Sequence, residues 1–229
     1  MMSQTPLPPS EPDRSPPEEK GGLVSRIQTL LEEWIYRLNE EQHWIFRVYD
    51  WGNEIWARLF FRATRRRASQ IDLKVEVKEV EAHVRFLEPD DEEIFAGFMA
   101  QLDVRYLPPH ELHAEQAAKA LARRSYIPFG IFVEGKMIGY ILLRLFFFRR
   151  AVTGIWMLAS THSAGIGRNT LLESVEFLKR EGLPNYCTIP LGNEPSLRIA
   201  HWCGWRVIRT NRHFDVLKVV AEPGEDLRS

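Results

Sequence analysis

The residues of this chain whose types and spacing best suit chemistry are 157–172, M-L-A-S-T-H-S-A-G-I-G-R-N-T-L-L. Residues 155–158 form a short continuous apolar run, the mark of a buried strand. Residues 160–167 carry no large side chain except His162 and Ile166. From Ile166 onward, Leu171, Leu172, Val175 and Leu178 recur at helical spacing. A strand, a small-residue turn and a helix in that order make a cradle for phosphate. The first amides of a helix have no internal partner and point outward, and the helix dipole adds partial positive charge there. Ala164, Gly165 and Gly167 carry little or no side chain, so a pyrophosphate could approach the backbone closely.

The spacing differs from the G-x-G-x-x-G dinucleotide fingerprint and lacks the lysine of a P-loop. It resembles instead the acyl-CoA pyrophosphate loop of the GNAT superfamily of N-acetyltransferases, which runs Gln or Arg, then x-x-G-x, then Gly or Ala. The six positions here are His162, Ser163, Ala164, Gly165, Ile166 and Gly167, with both small positions matched and His standing first. Residues 193–205, N-E-P-S-L-R-I-A-H-W-C-G-W, are similar to that family's closing helix, which starts at Asn and ends in Gly-aromatic. One helix and one strand separate the two motifs, as in the family.

The resemblance implies an α/β fold, a mixed and mostly antiparallel sheet flanked by helices, over residues 70–220. It implies acetyl-CoA or another acyl-CoA as co-substrate, with two parallel strands splaying apart to admit the pantetheine arm. Met157, Leu158 and Ala159 would then supply backbone to the arm and the carbonyl. His162, Ser163, Ala164, Gly165, Ile166, Gly167 and Arg168 would hold the pyrophosphate, and Asn193 would face the pantetheine or cysteamine end. The implied activity is transfer of an acyl group, acetyl first, to an amine, with a small molecule or sugar as acceptor because nothing signals a peptide groove.

A thioester is already activated, so the protein must align the amine, polarise the carbonyl and let the thiolate leave. Many family members carry a tyrosine seven residues after the motif asparagine as acid for that thiolate; here the position is Ala200. His201 is turned about 100° further round the helix. His201 and Tyr186, with Cys203 beside them, are the candidates, and the catalytic residue is otherwise unassigned. The strand over 152–159 offers Thr153 and Trp156 but no glutamate as base, which leaves proton loss to water or an acceptor presented already neutral. Ala200 also points to an alternative, a non-catalytic acyl-CoA-binding module that recruits a partner or membrane through its N-terminal helices.

With 229 residues, the chain fits one domain of ordinary size and an appendage. A net charge of −1 supplies no global field for nucleic acid, so none is expected as a partner. Cys187 and Cys203 make no disulfide framework and no zinc spacing, so no metal and a reducing, cytoplasmic setting are expected. No basic stretch followed by an apolar core opens the sequence, so no secretory signal is expected. The longest apolar run, 137–148, is interrupted by Arg144 and is too short to span a bilayer.

Residues 1–22, rich in proline, serine and acid, read as a disordered tail. Residues 23–69 read as a helical appendage. In 23–39, Leu23, Ile27, Leu30, Leu31, Trp34, Ile35 and Leu38 share one face. A second helix over 42–67 carries a stripe of Trp44, Val48, Trp51, Ile55 and Leu59, widened by Ile45, Tyr49, Trp56 and Phe60. Its six arginines (47, 58, 62, 65, 66, 67) against Asp50 and Glu54 give a net +4. Two roles fit residues 23–67, packing on the following domain or a second subunit, and peripheral contact with a membrane.

Strands are expected at 71–77 and 82–87, then a helix over 92–102 capped by Asp90 or Asp91. After Pro108-Pro109 a helix over 111–124 follows, with His110 and His113 at its start. A hairpin follows at 126–133 and 137–148, then a strand at 152–159 and the helix at 165–181, ended by Gly182 and Pro184. A strand at 186–191, a helix at 193–203 and strands at 205–210 and 213–220 close the domain, and 221–229 reads as a polar tail.

Overall fold

The computed structural model describes residues 43–77, 80–102, 117–147, 150–158, 165–190, 192–213 and 216–223. The expected tail over 1–22, the helix over 23–39, His110, His113 and the last six residues lie outside them. The helices are α1 (His43–Phe60), α2 (Arg62–Ala68), α3 (Glu92–Met99), α4 (Ala117–Ala122), α5 (Ile166–Arg180) and α6 (Glu194–Trp202). The strands are β1 (Asp72–Val77), β2 (Val80–Phe86), β3 (Tyr126–Val133), β4 (Lys136–Phe146), β5 (Arg150–Met157), β6 (Asn185–Pro190), β7 (Trp205–His213) and β8 (Val216–Pro223).

The strands form one sheet in the order β1-β2-β3-β4-β5-β6-β8-β7. Neighbours are antiparallel except β5 and β6, which run parallel across the α5 crossover. The sheet is therefore mixed, mostly antiparallel and flanked by helices, as the resemblance implied. β3 and β4 are buried over almost their whole length, which accounts for their unbroken apolar sequence: helices cover both faces. Ile141, Leu143 and Leu145 of β4 share a core with Phe177 and Leu178 of α5 and with Ala57 of α1. Tyr140 and Leu142 of the same strand pack instead with Phe95 and Phe98 of α3 and Leu121 of α4. A third cluster joins Leu171 and Val175 of α5 to Cys187 and Ile189 of β6 and Ala200 of α6.

The continuous helix expected over 42–67 is two helices, separated by Phe61 (φ −110°, ψ 11°), whose ring turns into the core. Both pack on the sheet. Asn53 is fully buried, donating to the Leu145 carbonyl at 2.9 Å and accepting from the Phe147 amide at 3.1 Å. Tyr49 and Trp56 sit against the Phe147 ring, with centroids 5.4 and 5.5 Å away. Arg65 donates to the carbonyls of Leu121, Arg123 and Tyr126, and Arg67 and Thr64 meet Glu181 of the turn after α5. The side that docks is thus the one carrying Tyr49, Asn53 and Trp56, while Phe60 of the widening set stays exposed like the main apolar stripe. Val48, Trp51, Ile55 and Leu59 are 57, 67, 41 and 69% exposed. Periodicity reveals that stripes exist; buried polar partners decided which one turns inward.

Glu54 closes the same interface. It accepts from the backbone amide of Arg124 at 2.7 Å and from the Ser125 hydroxyl, with Arg123 alongside at 3.2 Å. Burial alone raises a carboxyl's pKa, but the Ser125 and Arg124 bonds and the Arg123 charge outweigh it and hold Glu54 below its ordinary value. A depressed carboxylate contributes stability above its unfolded value and loses it as pH falls through the folded value. Glu54→Gln is therefore expected to cost about 2 kcal/mol at neutral pH. Its unfolding curve should converge on the wild-type curve below about pH 4. Denaturant titrations across that range check both; parallel curves at all pH values would refute the assignment.

Of the two residues expected to cap α3, Asp91 is the one that does so in position, standing at the N-cap without a side-chain cap bond. Its carboxylate is taken by Arg85, at 2.6 and 2.8 Å, and by the Glu88 amide at 2.9 Å. The carboxylate thus serves Arg85 and the turn ahead of the helix rather than the first amides of α3.

Candidate functional site

The parallel ladder between β5 and β6 stops after two residue pairs, Ala151–Asn185 and Val152–Tyr186. Beyond that vertex, residues 187–190 of β6 pair with β8, and residues 153–157 of β5 continue their ladder with β4. The two strands therefore splay. The vertex is pinned by the buried Thr153 hydroxyl, which donates to Asn185 Oδ1 at 2.8 Å. Leu158 donates its amide to Ile138 of β4, and Ala151 donates to Pro184 on the β6 side. Alternation along a strand then turns the backbone groups of Thr153, Ile155 and Met157 toward the opening. Of the expected contact residues, Met157 presents backbone to the gap. Leu158 has its amide committed and its side chain buried beside Phe95. Ala159 lies outside the described residues.

At the mouth of the gap stands the N-terminus of α5. His162, Ser163 and Ala164 lie outside the described residues, and Gly165, Ile166, Gly167 and Arg168 within them. Gly165 is the N-cap, with φ 75° and ψ −3°, and it supplies no side-chain cap. The first turn holds no acidic residue, whereas it does hold exposed Arg168. A helix serving stability alone would carry the reverse, an oxygen cap and acid against the positive end of the dipole. α6 has that arrangement: Asn193 Oδ1 accepts from the Ser196 amide at 3.2 Å, and Glu194 sits in the first turn. The amides of Ile166, Gly167 and Arg168 precede the first internal bond, Asn169 N to Gly165 O at 3.3 Å. Among the described residues, no side chain caps the end of α5 and no acid stands in its first turn, an arrangement suited to an anion.

The two glycines do different things. A side chain at Gly165 would require the left-handed conformation and would bring Cβ to 3.2 Å from Val77 Cγ1. Gly167 is buried on the strand side, where a Cβ would lie 3.5 Å from Met157 Cγ and 3.7 Å from Ile155 Cδ1. Its smallness lets the helix approach β5. Beside Arg168 a groove of about 580 Å³ runs between β1 and α5, lined further along by Glu76, Glu173 and Glu176. Its carboxylates oppose an anion, and Arg168 and Lys74 are the cations of its lining.

Ala200, at the position a tyrosine holds in many GNAT members, is buried among Leu171, Val175 and Cys187. His201 is exposed on the next step of the helix. Cys203 is fully buried, its Sγ 3.8 Å from the Arg168 carbonyl, and burial pushes the thiol up to about 11. It stays protonated and ties the end of α6 to the first turn of α5. Tyr186 stands in the last parallel pair, on the face of β6 opposite Cys187 and Ile189, at the closed end of the splay. Tyr186 thus stands at the closed end of the splay, Cys203 against the first turn of α5, and His201 at the surface of α6. The Thr153–Asn185 clasp was missed in the sequence, since a hydrogen bond between residues 32 positions apart leaves no local signal.

The sequence profile described as Acetyltransferase (GNAT) domain matches residues 83–206. No curated protein matches the chain significantly by sequence. Among solved structures, RimJ of Mycobacterium smegmatis in complex with CoA-disulfide superposes with a TM-score of 0.57 at 14% identity, covering 66% of this chain and 85% of that one. The ribosomal-protein-S5-alanine acetyltransferase of Vibrio fischeri gives 0.55 at 16%, covering 69 and 100%. The ribosomal-protein-S18-alanine N-acetyltransferase of Escherichia coli gives 0.53 at 15%, covering 65 and 99%.

Proposed function

The chain belongs to the GNAT superfamily of acetyltransferases and takes acyl-CoA as co-substrate, and we propose that it acylates the amine of a small molecule or amino sugar, with acetyl as the group transferred. The observation that carries this reading is the uncapped, acid-free and basic first turn of α5, set at the mouth of a splayed parallel strand pair.

The proposed pyrophosphate site is the loop from His162 to Arg168, through the first-turn amides of α5 and the Arg168 guanidinium. The backbone of β5 at Ile155 and Met157 would take the amides of the pantetheine arm as a strand takes an added strand. Asn193, whose Oδ1 caps α6, would face the pantetheine or cysteamine end. When bound, acyl-CoA supplies a thioester that is already activated. The protein's contribution is alignment and an amide donor for the carbonyl. No carboxylate lies on β5, so the amine is expected to lose its proton to water or to bind neutral.

Thiol release measured with a panel of polyamines, amino sugars and an alanine-terminated peptide tests this reading. The peptide belongs in the panel because two of the similar structures are described as acting on ribosomal-protein alanines. Release with a small amine or sugar is the expected result, and release with the peptide alone would overturn the proposed acceptor. His201→Ala is expected to change kcat by less than about threefold, because an exposed imidazole on that face does not reach the gap, whereas true acid–base assistance is worth about 10²–10⁴-fold. A loss in that range would place His201 at the leaving sulfur.

The burial of Ala200 favours a second reading, a non-catalytic acyl-CoA-binding module that recruits a partner. It predicts coenzyme A binding with no thiol release for any amine. We further propose a reducing, cytoplasmic setting, consistent with two buried cysteines that form no disulfide. Among the described residues no helix is long and apolar enough to cross a membrane.

A further inference from the structure

The outward face of α1 has no role in the fold or in the site. Val48, Trp51, Ile55 and Leu59 are spaced 3, 4 and 4 residues apart, fall within about 80° of helix circumference, and are all exposed. Arg47 and Arg58, both exposed, lie along one border of that arc, and Arg62 and Arg66 continue the basic character onto α2. The two acids of α1 do not balance them. Asp50 pairs inward with Arg123 and Arg144, and Glu54 is enclosed by Arg124, Ser125 and Arg123. Among the described residues, no carboxylate pairs with Arg47, Arg58, Arg62 or Arg66. The sheet side of the helix has therefore drawn in every negative charge, leaving an outer face of tryptophan, aliphatics and arginine alone.

We propose that this face docks on an anionic lipid surface. A tryptophan-bearing apolar stripe bordered by arginines is the arrangement by which a helix lies in the headgroup region. The apolar side chains enter the acyl boundary and the guanidiniums reach the phosphates and carboxylates above it. Charge separates the occupants. Two copies of this face would set four arginines against four with no described acid between them, whereas an anionic leaflet complements them all. With −1 overall and +4 on residues 42–67, the rest of the chain is net negative, so the attraction rests on this face alone. The inference does not depend on the acyl-transfer reading.

The test is co-sedimentation of the full chain with phosphatidylcholine vesicles, with and without about 30% phosphatidylserine. Sedimentation is expected only with the anionic vesicles, and it should weaken as salt shortens the Debye length. Trp51→Glu should abolish it while leaving the unfolding temperature unchanged, because the residue is exposed. The pair Arg47→Gln and Arg58→Gln should weaken it by about fivefold for each charge removed. Failure of the full chain to sediment, or equal sedimentation on both vesicle types, would overturn the proposal. So would a fall of several degrees in unfolding temperature on Trp51→Glu, which would show the stripe covered in the folded protein by residues 23–42. A dimer in solution that Trp51→Glu converts to monomer would assign the face to a second copy instead.

Discussion

Replacing Gly165 by valine is expected to remove the thermal stabilisation that coenzyme A confers on the wild-type protein, with affinity falling about a hundredfold. The backbone there is left-handed, at φ 75°, and a β-branched residue in that region costs about 1–3 kcal/mol. The added carbon also meets Val77 at 3.2 Å, so loop and helix must shift, and the first-turn amides shift with them. Wild-type protein at a hundred times its Kd for coenzyme A should gain about 2.7 kcal/mol, or about 5–10 °C in unfolding temperature for a chain of this size. Gly165→Val should show little of that gain. Pantetheine, which lacks the pyrophosphate, should bind both proteins alike. Gly167→Val is the control. Its side chain points at Ile155 and Met157, so it should lower the protein's own stability by about 1–3 kcal/mol through overpacking and disturb the anion site only indirectly. Absence of any shift in wild type would mean that the turn is only a turn. An equal shift in Gly165→Val would put the pyrophosphate elsewhere.

Asn53→Ala is expected to be the most destabilising single change in the N-terminal helices, at about 3 kcal/mol, or about 6–12 °C in unfolding temperature. The buried amide satisfies both a carbonyl and an N–H at the end of β4, and truncation strands both while leaving a small cavity. A chain truncated at Ser69 loses this residue, Glu54 and the three-carbonyl contact of Arg65 together. It is expected to aggregate rather than to persist as an independent acyl-CoA-binding domain. Circular dichroism melts of the point variant and light scattering of the truncate check the two. A stable, monomeric truncate would show that α1 and α2 are ornament to the sheet.

The order of strands and helices from β1 to β8 was legible because each element carries its own punctuation. β3 and β4 are apolar runs separated by Glu134 and Gly135, and the turn they form has the positive φ values a tight hairpin needs. The start of α5 was legible for the same reason, since glycine is the residue that takes a left-handed cap, and Gly165 does so. What misled was any residue with two eligible partners. Asp91 stands at the N-cap of α3 as expected, but its carboxylate is held by Arg85, seen only once β2 lies beside the turn. α1 offered two apolar stripes, and the inward choice fell to the side that carries Asn53 and Glu54.

The sequence by itself determined the elements, the glycine turn before α5 and the family resemblance, because backbone conformation and amphipathic period are written in residues at most a turn or two apart. Only the tertiary structure decided how those elements use their side chains. The parallel ladder stops after Val152–Tyr186, and a hydroxyl–amide clasp holds it there. Ala200 and Cys203 are sealed against α5, and His201 is turned to solvent. The acids of α1 are drawn inward, so its arginines and Trp51 face out alone. Each is a competition between partners far apart in the chain, and burial and hydrogen-bond satisfaction settle such competitions only when the whole sheet is assembled.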